Sequence, residues 1–407
     1  MLERRSVIQG LAGALAAPLL RARPAGAAVP LTTGLPAGEY ETAALEALPG
    51  KRPLIKLSYR PPNYETPLSY FGEALTPNDV FFVRYHLAGI PEATDAETWK
   101  LAIAGECVEN PLTLTIADLR SGFEPVEIEA VCQCSGNRRG LSDPHVPGVQ
   151  WGLGAMGNAR WQGARLKDIL AKAGLKKDAI EIVVKGADAP VLDTTPGFVK
   201  SLPAWRALDE NTIVAYAMNG SPLPHFNGAP VRLIVPGWTA TYWMKHLVSV
   251  EAVAKPFDGF WMKSAYRIPI GKFPVVDRFV SQEAPGVPTT PITEIVINSL
   301  VLTPDLHQRA GLPVELDGIA WDAGYGIARV EISTDGGADW QQATLDEERS
   351  RFGFRRWRYR FTPPKPGSYT VLAKASNHAG QTQADRLIFN PAGYHNNVPR
   401  PSMVIAT

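Results

Sequence analysis

The stretch Ser281-Gln282-Glu283-Ala284-Pro285-Gly286-Val287-Pro288-Thr289-Thr290-Pro291 divides the chain. Proline removes a backbone donor and fixes its own φ, so three prolines and a glycine in so short a run favour a linker over a helix or a central strand. On either side the texture differs. Beyond the linker, residues 292–302, 314–320, 327–333, 357–361 and 369–375 read as short strands separated by turns. Asp335-Gly336-Gly337 is a hairpin signal among them. Residues 292–407 therefore read as a small β-sandwich. Before the linker, residues 29 to about 75 are proline-rich and irregular. Strand patterns then appear at 81–87, 99–104, 126–132, 180–184 and 231–235. Residues 164–173 carry helical spacing, with Leu166, Ile169, Leu170 and Ala173 on one face and Gly174 as a stop. Residues 29–280 are thus an α+β domain.

The amino terminus reads as an export signal over residues 1–28. Arg4-Arg5 precede an apolar run over 11–20, and Ala25-Gly26-Ala27-Ala28 offers a cleavage site. The paired arginines suggest twin-arginine export, a route that carries folded proteins; an ordinary basic secretory signal is the alternative. The apolar run is too short to span a bilayer. The 41 basic and 40 acidic residues nearly cancel, which argues against nucleic acid as the main partner. Three cysteines make no disulfide framework, and neither a c-type haem motif nor a four-ligand zinc spacing occurs.

One loop concentrates chemistry: Cys132-Gln133-Cys134-Ser135-Gly136-Asn137-Arg138-Arg139. Ser-Gly-Asn is turn chemistry, so Cys134 ends a strand and faces a loop. The two arginines favour its thiolate, a soft ligand for a transition metal. A buried free cysteine is the alternative. Arg84 and His86 share one face by the two-residue strand period. Arg232 lies between Val231 and Leu233 in an apolar strand, a setting that calls for an anionic partner such as a phosphate.

These residues carry a resemblance. Cys134 to Arg139 looks like the molybdenum-ligand motif of the sulfite oxidase family. The stretch Asn227-Gly228-Ala229-Pro230-Val231-Arg232, with Pro236-Gly237-Trp238 and Lys245, resembles that family's pterin-binding segment. Residues 81–86 are similar to its Phe-Phe-x-Arg-x-His segment. Val330 to Gly337 with Trp340 resembles the hairpin of its C-terminal domain. Among subfamilies the chain is most similar to the catalytic subunit of bacterial sulfite:cytochrome c oxidoreductase.

The resemblance implies a mixed molybdopterin domain followed by an immunoglobulin-like β-sandwich of the dimerisation type. It implies molybdenum with one molybdopterin per chain, Cys134 being the sole protein ligand. Arg84 and Arg139 would bind the substrate oxyanion, with His86 beside them. Tyr266 would be the active-site tyrosine. His86, Asp188, Asn227, Arg232 and Lys245 would hold the pterin, with His225 assisting Asn227; Asp188 in Gly186-Ala187-Asp188 also reads as a turn cap. The implied activity is periplasmic oxidation of sulfite to sulfate. With no haem motif in the chain, electrons would pass singly to a c-type cytochrome, and the assembly would be a homodimer or a heterodimer with that cytochrome. One departure stands out. Vertebrate-like members carry a further arginine in an Asn-x-Arg-Gly context, where this chain has Asn390-Pro391-Ala392-Gly393. Another sulfur substrate, a protein-bound sulfane or a sulfoxide, is therefore an alternative, as is a non-catalytic periplasmic anion-binding protein.

Overall fold

A computed structural model describes residues 44–92, 94–271, 288–303 and 305–407. The export signal expected over 1–28 and most of the linker lie outside the described residues. The chain is mostly sheet. Its α-helices, among the described residues, are the short Ile116–Ser121, Leu166–Lys172, Ala204–Ala207 and Phe260–Lys263.

Before the linker there are three main sheets. Ala44–Glu46, Leu54–Ser58, Asn63–Glu65 and Val83–Arg84 form one, so a segment expected to be irregular in fact holds strands. A second runs in the order Val199–Pro203, Glu181–Gly186, Leu247–Val253, Lys100–Ala104, Leu112–Thr115. A third joins Ser221–Pro222, Ile213–Met218, Met156–Arg165 and Pro125–Gln133, with Arg232–Ile234 also pairing to Ile213–Met218. Pairing explains where the helix expected at 164–173 begins. Ala164 and Arg165 are held in the sheet opposite Val214 and Ile213, so the helix starts only at Leu166. The strand expected over 81–87 shrinks to Val83–Arg84. The rest of that segment runs along a cavity wall, where Gly157 leaves room for the Phe81 ring: a Cβ at Gly157 would sit 2.5 Å from it.

The C-terminal unit has two sheets. One is Asn298–Val301, Val314–Trp321, Arg355–Phe361 and Thr344–Leu345; the other is Leu306–Gln308, Ser402–Ala406, Gly367–Asn377, Ile327–Ser333 and Gln341–Gln342. Their alternating inward residues, including Leu316 and Trp357 from one sheet and Val330, Val371 and Ala373 from the other, make one apolar core.

The boundary between the two units is less clean than composition suggests. Thr289–Pro291, in the expected linker, forms a strand paired with Arg267–Pro269. A shared core joins Val131, Leu153 and Met156 to Ile319, Trp321 and Phe354. Trp321 Nε1 donates to Gln133 Oε1 at 2.7 Å, one residue from Cys134. Arg138, fully buried, donates to the carbonyls of Ser299 at 2.8 Å and Val398 at 3.0 Å. The C-terminal unit thus braces the cysteine loop directly. Tyr394, near the end of the chain, belongs to the core of the first domain.

Candidate active site

Cys134 follows the strand Pro125–Gln133 and is 6% exposed. Its N–H still reaches Ala155 O at 2.9 Å, and its carbonyl accepts from Asn137 N–H at 3.0 Å, closing the turn. Asn137 Oδ1 accepts from Ala155 N–H at 3.1 Å and pins that turn to the neighbouring strand. Arg138 then takes φ 68°, a left-handed conformation that sends Arg138 and Arg139 in different directions.

The thiol lines a cavity whose apolar walls include Phe81, Phe82 and Phe198. Arg84, His86, Cys134, Asp188, Asn227, Arg232, Lys245 and Tyr266 all line it. Eight side chains singled out from sequence thus converge on one cavity. Cys132 lines it too, on the same side as Cys134 by strand period.

Around Tyr266 the polar groups satisfy one another. Arg84 Nη2 donates to the Tyr266 oxygen at 3.3 Å. His86 Nε2 lies in short hydrogen-bond contact with the same oxygen. The imidazole can make this contact in either tautomer: Nε2 accepts the phenol proton when Nδ1 carries the ring proton, and donates to the oxygen otherwise. Burial holds His86 well below its ordinary range, with Arg84, Lys245 and Lys200 adding to the effect, so the ring is neutral. Burial raises the Tyr266 phenol, against the pull of Arg84. Tyr266 itself has φ 60°, an outlier for a bulky aromatic residue and a backbone cost of about 1–3 kcal/mol. Such strain concentrates where a side chain must be aimed. The His86 ring stacks on Phe198 at 3.8 Å between centroids, which fixes its plane.

A second cluster is built differently. Arg232 Nη1 donates to Asn227 O at 2.8 Å and Nη2 to Trp243 O at 3.0 Å, with Cys132 Sγ 3.9 Å away. The partner expected for this buried cation was an anion; within the chain it is main-chain carbonyls instead. Lys245 Nζ donates to Arg84 O at 2.5 Å and lies 2.9 Å from the centroid of the Tyr85 ring. Burial keeps its ammonium well below the usual lysine range, assisted by Arg232 and opposed by Asp188. Burial likewise raises the Asp188 carboxyl, opposed by Lys245.

Arg139 and His225 are the two sequence candidates outside the cavity lining. Arg139 Nε donates to Ala392 O at 2.7 Å and Nη1 to Val149 O at 3.2 Å, and its guanidinium carbon lies 5.3 Å from the centre of the Tyr394 ring. Gly136 and Gly148 make room for it: a Cβ at either would come within 2.9 Å of the guanidinium. Half-buried His225 packs its ring against Phe226 and His246.

Several site residues escaped the sequence reading. Lys51 Nζ donates to Asn78 O at 2.6 Å, to Phe81 O at 3.0 Å and to Asn227 Oδ1. Nothing local marks it. Lys200, in the buried strand Val199–Pro203, donates to Trp261 O at 2.7 Å and lies 5.4 Å from the Tyr266 ring centre. A cation in an apolar strand is the signal that singled out Arg232, and it would have found Lys200. Tyr394 stacks on Tyr266 at 5.7 Å with the rings 14° from parallel.

The lining suits an anionic, metal-bearing ligand. Arg84, Arg232 and Lys245 face it against one carboxyl, Asp188. Among the cavity-lining groups, the buried atoms Ser135 Oγ, Thr241 Oγ1 and Arg232 Nε have no partner among the described residues, and such atoms call for a polar occupant. No three His, Cys, Asp or Glu among the described residues cluster as a metal cage. A metal at Cys134 would therefore take its remaining ligands from a cofactor. Molybdopterin, with its phosphate and its two sulfurs, fits these requirements.

Residues 86–261 match the family described as the oxidoreductase molybdopterin binding domain. Residues 289–399 match the Mo-co oxidoreductase dimerisation domain. The chain is 34% identical over 366 residues to mitochondrial sulfite oxidase of Macaca fascicularis, an alignment covering 86% of this chain and 65% of that protein. It thus spans just under two thirds of that relative's length. Sulfite oxidase of Gallus gallus is 32% identical over 359 residues, covering 83% of this chain and 74% of the relative. Among solved structures, the sulfane dehydrogenase SoxCD of Paracoccus pantotrophus superposes with a TM-score of 0.73 at 22% identity, covering 92% of this chain and 93% of that one. This last likeness concerns the fold.

Proposed function

Because the chain belongs to the sulfite oxidase family of molybdopterin oxidoreductases, we propose that it oxidises sulfite to sulfate in the periplasm and passes the electrons singly to a c-type cytochrome. The observation that carries this reading is the Arg84–Tyr266–His86 cluster beside the Cys134 thiol, in a cavity lined by cations.

Each side chain has a definable task. Arg84 attracts the sulfite anion and holds it by charge-assisted hydrogen bonds, so that the sulfur lone pair can be oriented. Tyr266 supplies a hydroxyl fixed between Arg84 and His86. Neutral His86 meets the Tyr266 oxygen through Nε2 and, with Arg84, fixes where that hydroxyl stands in the cavity. Arg232, Lys245 and Ser135 would hold the phosphate and polar edge of the pterin. Cys134 and the pterin sulfurs would hold molybdenum, which supplies two-electron oxygen-atom transfer. The aromatic walls Phe81, Phe82 and Phe198 limit water.

The periplasmic location rests on the Arg4-Arg5 signal, and the cytochrome acceptor on the lack of a haem motif in the chain. The matching dimerisation domain supports an assembly of two subunits, either two copies or one copy with its cytochrome. The immunoglobulin-like label for the sandwich is part of the same reading.

A second reading keeps the cofactor and changes the substrate to another sulfur compound. It is favoured by Arg139, whose Nε and Nη1 are occupied by main-chain carbonyls, and by Ala392 where the resemblance led us to expect a further arginine. The deciding experiment is expression with cofactor maturation, metal analysis, and assays with sulfite, thiosulfate and methionine sulfoxide. About one molybdenum per chain and sulfite-dependent cytochrome c reduction are expected, as a single-thiolate site requires. Activity on thiosulfate or the sulfoxide in place of sulfite would transfer the assignment to the second reading. Absence of molybdenum after maturation would remove every enzymatic version and leave an anion-binding protein.

A further inference from the structure

The chain's last segment reaches back into the site. After the strand Gly367–Asn377 the backbone returns to the first domain, where Asn390 locks a tight loop. Its Oδ1 accepts from Tyr394 N–H at 3.0 Å and its Nδ2 donates to Tyr394 O at 2.8 Å. Gly393, at φ 61°, packs against Arg139: a Cβ there would lie 2.9 Å from Arg139 Cγ. Arg139 grips the loop in turn through Ala392 O. The loop delivers one ring. Tyr394 is 7% exposed, and it lies beside two groups: the Tyr266 ring, stacked at 5.7 Å, and the Arg139 guanidinium, 5.3 Å from its centre.

We propose that Tyr394 is a positioning residue for Tyr266, and that Arg139 acts mainly as the clamp that holds Tyr394 in place. Tyr266 carries a left-handed backbone and is aimed at Arg84 and His86. A strained side chain holds its aim only while its surroundings over-determine it. His86 and Trp261 lie beside its ring, with centroids at 5.3 and 6.0 Å. Tyr394 stacks on it nearly face to face. An aromatic pair of this kind contributes beyond its buried area, and Arg139 adds a cation–π contact. The second domain therefore takes part in catalysis through one ring, separated from Tyr266 by more than a hundred residues of sequence. The kinetic half of this proposal rests on the sulfite reading; the structural half does not.

The test uses the full chain matured with its cofactor, and three variants. Tyr394→Phe keeps the ring and is expected to keep kcat within about twofold. Tyr394→Leu keeps an apolar side chain without the ring, and Tyr394→Ala removes both; both are expected to lower kcat roughly tenfold or more, as a displaced catalytic group does, while KM moves less. Alongside, the unfolding of wild type, Tyr394→Ala, Tyr266→Ala and the double variant is compared as a cycle, with non-additive losses expected for a stacked pair. Non-additivity without any sulfite oxidation by the wild type would sustain the stack and reject the sulfite reading. Active wild type with additive losses and an unimpaired Tyr394→Leu would overturn the proposal. So would Tyr394→Phe as slow as Tyr394→Ala, because the hydroxyl would then act on the substrate directly.

Discussion

Two groups of side chains share one cavity and are held by different means. Around Tyr266 most contacts are between side chains: Arg84 and His86 reach the phenol oxygen, Tyr394 stacks on its ring and Phe198 stacks on His86, while Arg84 also donates to Asn63 Oδ1 and Tyr85 O. Around Arg232, the main chain holds the cations: the carbonyls of Asn227, Trp243 and Arg84 take Arg232 and Lys245. The first arrangement fixes directions and leaves little unpaired, which suits a place where a small anion must be oriented. The second leaves Arg232 Nε and Thr241 Oγ1 without partners among the described residues, which suits a place where a large polar ligand is retained. Orientation and retention are separable properties, so substitutions in the two groups should fail in different assays.

The largest effect is expected at Cys134, the one residue both groups depend on. Cys134→Ser replaces a soft thiolate with a neutral hydroxyl and should abolish sulfite-dependent cytochrome c reduction; wild-type turnover by that variant would show the assigned ligand to be wrong. Next comes Arg84→Gln. Losing a charged hydrogen-bond donor of about 1.5–3 kcal/mol should raise the apparent sulfite requirement roughly 10–100-fold. Molybdenum content should stay near that of wild type. Arg139→Gln should raise the requirement less, since its donors already serve Val149 and Ala392. Equal effects at the two arginines would place Arg139 on the substrate and erase this distinction.

Arg232→Gln probes the other group. The expected loss is of cofactor, read as a lower molybdenum-to-protein ratio after gel filtration, with the remaining loaded fraction close to wild type in its sulfite dependence. Full molybdenum content in that variant, combined with a raised sulfite requirement, would merge the two groups into one.

How much of this was legible in sequence depends on where each residue's partners lie. Cys134 and Arg232 sit in short motifs whose local setting, a turn after a strand or a cation in an apolar run, carries its own physical signal. Arg84 and His86 were placed on one face by strand period, and both do reach Tyr266, although the strand itself is only two residues long. Residue type does not distinguish the adjacent Arg138 and Arg139; only the family resemblance assigned Arg139, and not Arg138, to the substrate. What separates them is contacts far along the chain, Val398 and Ala392, which no local pattern announces. The same holds for Tyr394 and for Lys51, whose partner Asn227 is 176 residues away. The strand at Thr289–Pro291 was hidden because proline content marks a linker and an edge strand alike.

Lys51 offers the finest test of the comparison, because it belongs to the retaining group yet touches no ligand. Its ammonium anchors Asn227, whose carbonyl anchors Arg232. Burial lowers its pKa from 10.5 to about 7, with Asp79 opposing. In the unfolded chain the amine regains its ordinary value near 10.4. Between about pH 7 and 10 the unfolded chain therefore binds a proton at this lysine that the folded chain does not, and the contribution of Lys51 to stability rises with pH across that window. Below pH 7 both states are protonated and the cost of burying the charge is fully present. The cofactor-free chain should accordingly gain up to about 1.4 kcal/mol per pH unit from this group. The gain is read as an unfolding midpoint that rises from pH 7 to 9 relative to Lys51→Met. Parallel curves for the two proteins would remove Lys51 as the titrating group. An anionic cofactor nearby should raise the lysine's pKa and flatten the rise in the loaded protein, as a group that retains by charge requires. The same slope with and without cofactor would mean that Lys51 braces the fold and has no electrical part in retention.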